Sequence, residues 1–169
     1  MIEELLGALD TKLQERGLEA KIFVVGGAAM ALAYNASRVT DDIDGIFVPR
    51  DVVIDAAKDL ARERGLDQYW LNDAVIQMMP PRPDDDPRSH KIGPALTLEI
   101  ASPAYVLAMK AMSTRHSSGD LDDAASLCKQ LEITTQAELE RVVQRYFGNQ
   151  RTYGAQELFF ERIIDAASD

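Results

Sequence analysis

The sequence predicts an α+β fold, a small mixed sheet flanked by helices with a helical C-terminal half, and three observations carry that prediction. Lys21-Ile-Phe-Val-Val25 is a run of β-branched and aromatic residues suited to a buried strand, and it stops at Gly26-Gly27. Leu96-Thr-Leu-Glu-Ile100 alternates cleanly, which places Leu96, Leu98 and Ile100 on one strand face and Thr97 with Glu99 on the other. Beyond Ser102 the apolar residues recur at helical spacing instead. At 169 residues the chain suits one domain, with a sheet-containing core over about residues 1–101 and a helical part over about 102–169.

The elements follow in order. Ile2, Leu5, Leu6, Leu9 and Leu13 mark an amphipathic helix that runs to about Arg16 and closes at Gly17. An Ala-rich helix is expected from Ala28 to about Ala36, small residues allowing close packing. A strand over Asp42 to Val48 follows a turn around Arg38 and Thr40. Pro49 and Asp51 introduce a helix to Arg64 with Val52, Ile54, Ala57 and Leu60 as core positions and Gly65 as the stop. Tyr69 to Met79 reads as a short helix or a helix with a turn. Pro80 to Pro87 holds four prolines and three aspartates, a composition that excludes a helix or sheet interior and predicts a mobile loop reaching Pro94. Ser102 is an N-cap with Pro103 at the first helical position, opening a helix through about Thr114. Further helices are expected near Asp120 to Leu131, Thr135 to Phe147 and Gln156 to Ala167.

Composition narrows the function classes. With 46% hydrophobic and 27% charged residues the chain is globular in character, which argues against disorder or a fibrous repeat. The longest apolar stretch, Ile22 to Ala36, is interrupted by Gly and Asn and falls short of the roughly 20 residues that span a bilayer. The N-terminus has no basic region ahead of an apolar core, and the single cysteine, Cys128, sits in an apolar helical pattern that suits a core residue. Both features favour the cytoplasm. A formal charge of −10 argues against an extended nucleic-acid surface, while leaving room for contact with one RNA end and for acidic metal sites.

The informative unit is the strand ending at Val25, the Gly26-Gly27 turn, the Ala-rich helix and the strand bearing Asp42-Ile43-Asp44. Glycines let backbone approach a ligand, and amides opening a helix are donors suited to phosphate. Alternation along a strand sends Asp42 and Asp44 to one face, where two carboxylates repel unless a cation lies between them. Mg²⁺, or Mn²⁺, fits such oxygen donors together with substrate phosphates. Taken singly, a Gly-Gly pair is an ordinary turn and an Asp-x-Asp an ordinary solvated strand end; it is their combination that points to a phosphate and metal platform.

The order of an apolar residue, Gly26-Gly27, an Ala-rich helix, Arg38-x-Thr40 and Asp42-x-Asp44 resembles the nucleotidyltransferase (DNA polymerase β-like) superfamily. More closely, it is similar to small bacterial proteins related to the AbiEii and MenT toxins. Trp70-Leu-Asn-Asp73, Ala101-Ser-Pro103, Leu107-Ala-Met-Lys110 and Asp120-Leu-Asp-Asp123 add to the likeness, which spans about Phe23 to Leu131. The resemblance implies a nucleotidyltransferase fold that moves a nucleoside monophosphate from a triphosphate to a hydroxyl of an RNA or protein acceptor. It also implies a toxin role beside an antitoxin protein. By the same resemblance Gly26, Gly27, Asp42 and Asp44 form the nucleotide and metal site, completed by Lys110 and by Asp120 or Asp123.

Lys110 also stands out without the family. Val106 to Met109, Ala111 and Met112 surround it, so the cation needs a partner such as a triphosphate or Asp44 unless it reaches the surface. Asp120, Asp122 and Asp123 open a helix, where capping explains acidic residues equally well. Glu99 is a candidate third catalytic carboxylate or a solvated strand residue, and Arg38 and Thr40 either brace the turn or touch phosphate. His90 and His116 lie in polar contexts that read as surface. The alternative to catalysis is a domain of the same fold that binds nucleotide or protein without turnover.

Overall fold

The computed structural model describes residues 1–35, 37–115 and 117–169. His116 and the end of the expected Ala28–Ala36 helix therefore lie outside the described residues. The chain forms two compact units, one built from Met1–Gln77 with Pro87–Ala101 and the other from Met78–Asp86 with Ser102–Asp169. Together they give the α+β fold that the sequence predicts, a mixed sheet flanked by helices and a helical C-terminal half.

In the first unit, strands β1 (Ala20–Val24), β2 (Ile43–Val48), β3 (Leu71–Asn72), β4 (Arg88–Lys91) and β5 (Leu96–Ile100) lie in the order β3-β2-β1-β5-β4. β1 runs antiparallel to β2 and parallel to β5. One face carries Ile22, Val24, Ile43, Phe47, Leu96 and Leu98, all buried. Helix α1 (Ile2–Glu15) packs on β5 and helix α3 (Arg50–Arg64) on β2. Each such aliphatic side chain removed from water contributes roughly 1.5–3 kcal/mol. A buried carboxylate adds direction: Asp10 of α1 accepts hydrogen bonds from the amides of Ala95 (2.9 Å) and Leu96 (2.7 Å), which ties the helix to the start of β5.

Several local expectations shift. The helix after β1 starts at Gly26 itself as α2 (Gly26–Ala29) and widens into a π-helical turn over Met30–Tyr34, closed by the Asn35 amide on the Met30 carbonyl at 2.7 Å. The core stripe of α3 is Val53, Ala56, Ala57, Leu60 and Ala61, with Val52 and Ile54 half-buried on its flanks. A stripe at i, i+3, i+4, i+7 starting from 53 buries two alanines where the β-branched neighbours would crowd the sheet. Tyr69 to Met79 holds the short strand β3 and a 3₁₀ turn over Ala74–Met78, and β4 lies inside the stretch expected to be loop. Strand β4 is exposed at every position, so no apolar alternation announces it; its pairing with β5 is a matter of backbone hydrogen bonds.

The second unit contains α4 (Pro103–Ala111), α5 (Ser118–Gln130), α6 (Gln136–Phe147) and α7 (Ala155–Ser168). Ser102 caps α4, accepting from the Tyr105 amide at 3.2 Å, and a Thr135/Glu138 capping box opens α6. Cys128 is buried among these helices, and burial pushes its thiol up to about 12. The Pro–Asp segment is no free loop. Asp84 accepts from the Ser102 amide (2.6 Å) and hydroxyl (2.8 Å), Asp85 accepts from Tyr146 (2.9 Å) and Arg145 (3.0 Å), and the Arg82 amide donates to the Tyr146 carbonyl. Its prolines forbid regular structure, but its aspartates pin it to α4 and α6.

Candidate functional site

The C-terminal ends of β1 and the N-terminal end of β2 meet at the Gly26-Gly27 turn. Gly26 has φ +62°, a left-handed conformation that glycine adopts without penalty, and a Cβ there would stand 3.7 Å from Asp44 Oδ2. A Cβ on Gly27 would stand 3.6 Å from Thr40 Oγ1 and 4.0 Å from Arg38 Nη2. The turn therefore faces a carboxylate on one side and a hydroxyl with a guanidinium on the other. The first amides of α2 have no acceptor within the helix, which leaves them as donors of the kind a phosphate can use.

Two further contacts fix the backbone that carries the carboxylates. The Val25 amide donates to the Asp44 carbonyl (3.1 Å), locking the turn to β2. Thr40 Oγ1 donates to the Asp42 carbonyl at 3.2 Å, so Thr40 braces the chain entering β2. Asp42 itself stands just before the strand and is exposed, whereas Asp44 is half-buried within it. Loss of water on the side of Asp42 that meets the protein, followed by the charges of Asp44, Asp67 and Asp41, raises its carboxyl above the ordinary range although most of the residue is exposed. Concentrated negative charge of that kind favours a cation.

Gly45 shows how closely this region is built: a Cβ there would lie 2.3 Å from the Phe23 carbonyl oxygen. The Asp-Ile-Asp-Gly run thus combines two carboxylates with a residue that lets β2 approach β1.

Register places the remaining candidates. Phe23 of β1 pairs with Ile46 on one side and Glu99 on the other, so Glu99 shares a sheet face with Asp44 and Ile46. Strand β1 lies between Asp44 and Glu99 and the register offsets them by two residues, so two strand spacings and two residues of rise separate their backbones by roughly 12 Å. Asn72 pairs directly with Asp44 and is half-buried. Among the described residues no three His, Cys, Asp or Glu side chains gather as a self-sufficient metal cage. Asp42 and Asp44 suit a hard cation that takes its other ligands from water and phosphate, the usual Mg²⁺ arrangement.

Lys110, Asp120 and Asp123 come together in the helical unit. Lys110 Nζ donates to Asp120 Oδ1 at 2.8 Å and lies 3.0 Å from Asp123 Oδ2, and all three residues are buried. The partner that the lysine's apolar surroundings demand is this carboxylate pair. Asp120 also accepts from the Ser117 hydroxyl at 2.8 Å, Asp122 is exposed, and His90 is exposed on β4.

Asn72, part of the Trp70-Leu-Asn-Asp73 segment that carried the likeness, reaches the carboxylate pair through the β2–β3 pairing. Asp67, whose charge acts on Asp42, did not stand out in the sequence.

No helix among the described residues is long and apolar enough to cross a membrane. No curated protein and no solved structure matches the chain. A glycine turn against a paired-carboxylate strand in a mixed sheet is the arrangement a nucleotide-transferring enzyme would need, and residues 3–160 match the family described as nucleotidyltransferase of unknown function (DUF6036), to which the chain belongs.

Proposed function

We propose that the protein is a Mg²⁺-dependent nucleotidyltransferase that moves a nucleoside monophosphate from a nucleoside triphosphate to a hydroxyl of an RNA or protein acceptor. The observation that carries this reading is the approach of Gly26 to Asp44, close enough that a Cβ on Gly26 would stand 3.7 Å from Asp44 Oδ2. Asp42 and Asp44 would hold the cation, which when bound supplies charge neutralisation on the phosphoryl oxygens. The Gly26-Gly27 amides and Arg38 bind the triphosphate, and Thr40 holds Asp42 in place. The acceptor oxygen bonds to the α-phosphorus, the bond from that phosphorus to the bridging oxygen breaks, and pyrophosphate leaves. Glu99, on the same sheet face as Asp44, takes the hydroxyl proton. The resemblance to AbiEii and MenT proteins supports a toxin role with an antitoxin partner.

A specific observation favours a second reading, nucleotide binding without turnover: Glu99 is set apart from Asp44 by β1, leaving two close carboxylates. Incubation with Mg²⁺, radiolabelled nucleoside triphosphates and a panel of RNAs and proteins separates the two, with Asp42→Ala/Asp44→Ala as control. Label transfer lost in the double variant supports the enzyme. Triphosphate binding with no transfer to any acceptor supports the binding domain, and the absence of both sinks the nucleotide reading.

A further inference from the structure

Tyr69 is 62% exposed on the turn Asp67–Trp70, although its ring is large enough to stabilise the fold by burial. Turn tips usually carry small polar residues or glycine. The turn is also held firmly. The Tyr69 amide donates to Asp67 Oδ1 (2.7 Å), the Trp70 amide to the Asp67 carbonyl (3.2 Å), and the Asn72 side chain to the Tyr69 carbonyl (3.3 Å). On the inner side the buried Trp70 indole donates to the Ala57 carbonyl at 3.0 Å. Water is thus presented with an aromatic ring on a fixed support.

The support is joined to the candidate site. The Ile43 amide, between Asp42 and Asp44, donates to the Trp70 carbonyl at 2.7 Å, so the Tyr69 backbone is one residue from a direct bond to the carboxylate strand. Because β3 runs parallel to β2 and β2 antiparallel to β1, the start of β3 lies at the same end of the sheet as the Gly26-Gly27 turn, which puts Tyr69 on the rim of the candidate site. Aromatic side chains hold bases by stacking, and tyrosine does so at low cost because it has few rotatable bonds.

We propose that the Tyr69 ring is the platform on which the base of the bound nucleoside triphosphate stacks. The proposal rests on the nucleotide reading above and adds the base-contacting residue. Stacking recognises the π-face that every base shares, so Tyr69 contributes affinity without strong choice among bases. The asparagine that holds the Tyr69 carbonyl, Asn72, pairs with Asp44, which makes one short strand the link between the base platform and the metal-binding carboxylate.

The test is calorimetric titration of the full chain, with Mg²⁺ present, against α,β-methylene analogues of ATP, GTP, CTP and UTP and separately against inorganic tripolyphosphate. Tyr69→Ala is expected to weaken the tightest-binding nucleotide analogue about tenfold, leave tripolyphosphate unchanged, and be rescued by Tyr69→Phe, which keeps the ring. Unchanged nucleotide affinity in Tyr69→Ala overturns the platform alone, as does an equal loss for tripolyphosphate, which would mark a structural role. A wild-type chain that binds neither nucleotide nor tripolyphosphate overturns the nucleotide reading and the platform with it.

Discussion

Lys110 donates to Asp120 across 2.8 Å with both side chains buried, and Asp123 completes the cluster at 3.0 Å from the same nitrogen. One cation therefore joins α4 to the first turns of α5 inside the helical unit. Removing one partner of a buried ion pair leaves charge that neither water nor protein compensates.

Lys110→Met is expected to destabilise the protein by roughly 3–5 kcal/mol, since it strands two buried carboxylates. Burial works to raise the Asp120 carboxyl, but the bonds from Lys110 and Ser117 outweigh it and hold the group below its ordinary range. A depressed carboxyl contributes stability that is present above the ordinary value near 3.8 and is lost as pH falls through its folded value. Urea unfolding of wild type and variant from pH 7 down to pH 3 should show the difference shrinking toward the acid end. A Lys110→Met protein as stable as wild type at pH 7 would contradict the assignment.

The glycines at the site make different demands. Gly26→Ala places a side chain at φ +62°, which costs about 1–2 kcal/mol, and aims a methyl group at the Asp44 carboxylate. Triphosphate binding should fall while the chain still folds. Gly45→Ala puts a methyl group 2.3 Å from the Phe23 carbonyl, so β1 and β2 must separate. Thermal unfolding should rank Gly45→Ala as the more damaging, and the reverse order would show that the strand pair can yield.

Much of this was legible in the sequence for a physical reason. Leu96–Ile100 is half-buried, so its alternation is written in the residues, and Ser102-Pro103 and Thr135 cap helices by chemistry local to a few positions. The closeness of the Gly26-Gly27 turn to Asp44 was visible because a left-handed turn and a carboxylate need particular residue types. What was not legible depends on distant partners. Strand β4 has no buried side chain, β3 has two residues, and the Pro–Asp segment gives no hint that Ser102, Arg145 and Tyr146 wait for its aspartates. Lys110 announced its need for a counter-charge, but its partners lie ten and thirteen residues on, across a helix boundary.

The raised Asp42 carboxyl gives a prediction for the apo protein. Its cause is partial loss of water first and then repulsion from Asp44, Asp67 and Asp41, so ionised Asp42 opposes folding. For a carboxyl raised in the folded state, the stability it contributes is present at low pH and is lost as pH rises through the folded value. Asp42→Asn should therefore raise the melting temperature at pH 7 without Mg²⁺, with a smaller gain at pH 4. Added Mg²⁺ should raise the wild-type melting temperature and leave an Asp42→Asn/Asp44→Asn protein unmoved. A wild-type protein indifferent to Mg²⁺ and to its analogue Mn²⁺ would argue against a cation at this pair.

The pinned Pro–Asp segment yields the last prediction. Asp84 accepts from the amide and hydroxyl of buried Ser102, the cap of α4, so Asp84→Ala leaves that amide without its acceptor at a cost of about 1–3 kcal/mol. Asp85 is more exposed, and its bonds from Arg145 and then Tyr146 hold its carboxyl below the ordinary range. Its stabilising effect is present above the ordinary carboxylate value and disappears as pH falls through the lowered one. Limited proteolysis with a protease of broad specificity at neutral pH should cut the segment faster in Asp84→Ala than in wild type, with Asp85→Ala, which loses a solvent-screened pair, showing the smaller effect. Equal cleavage of all three proteins, despite a clear loss of stability in Asp84→Ala, would mean that the cap is supported while the segment itself opens independently.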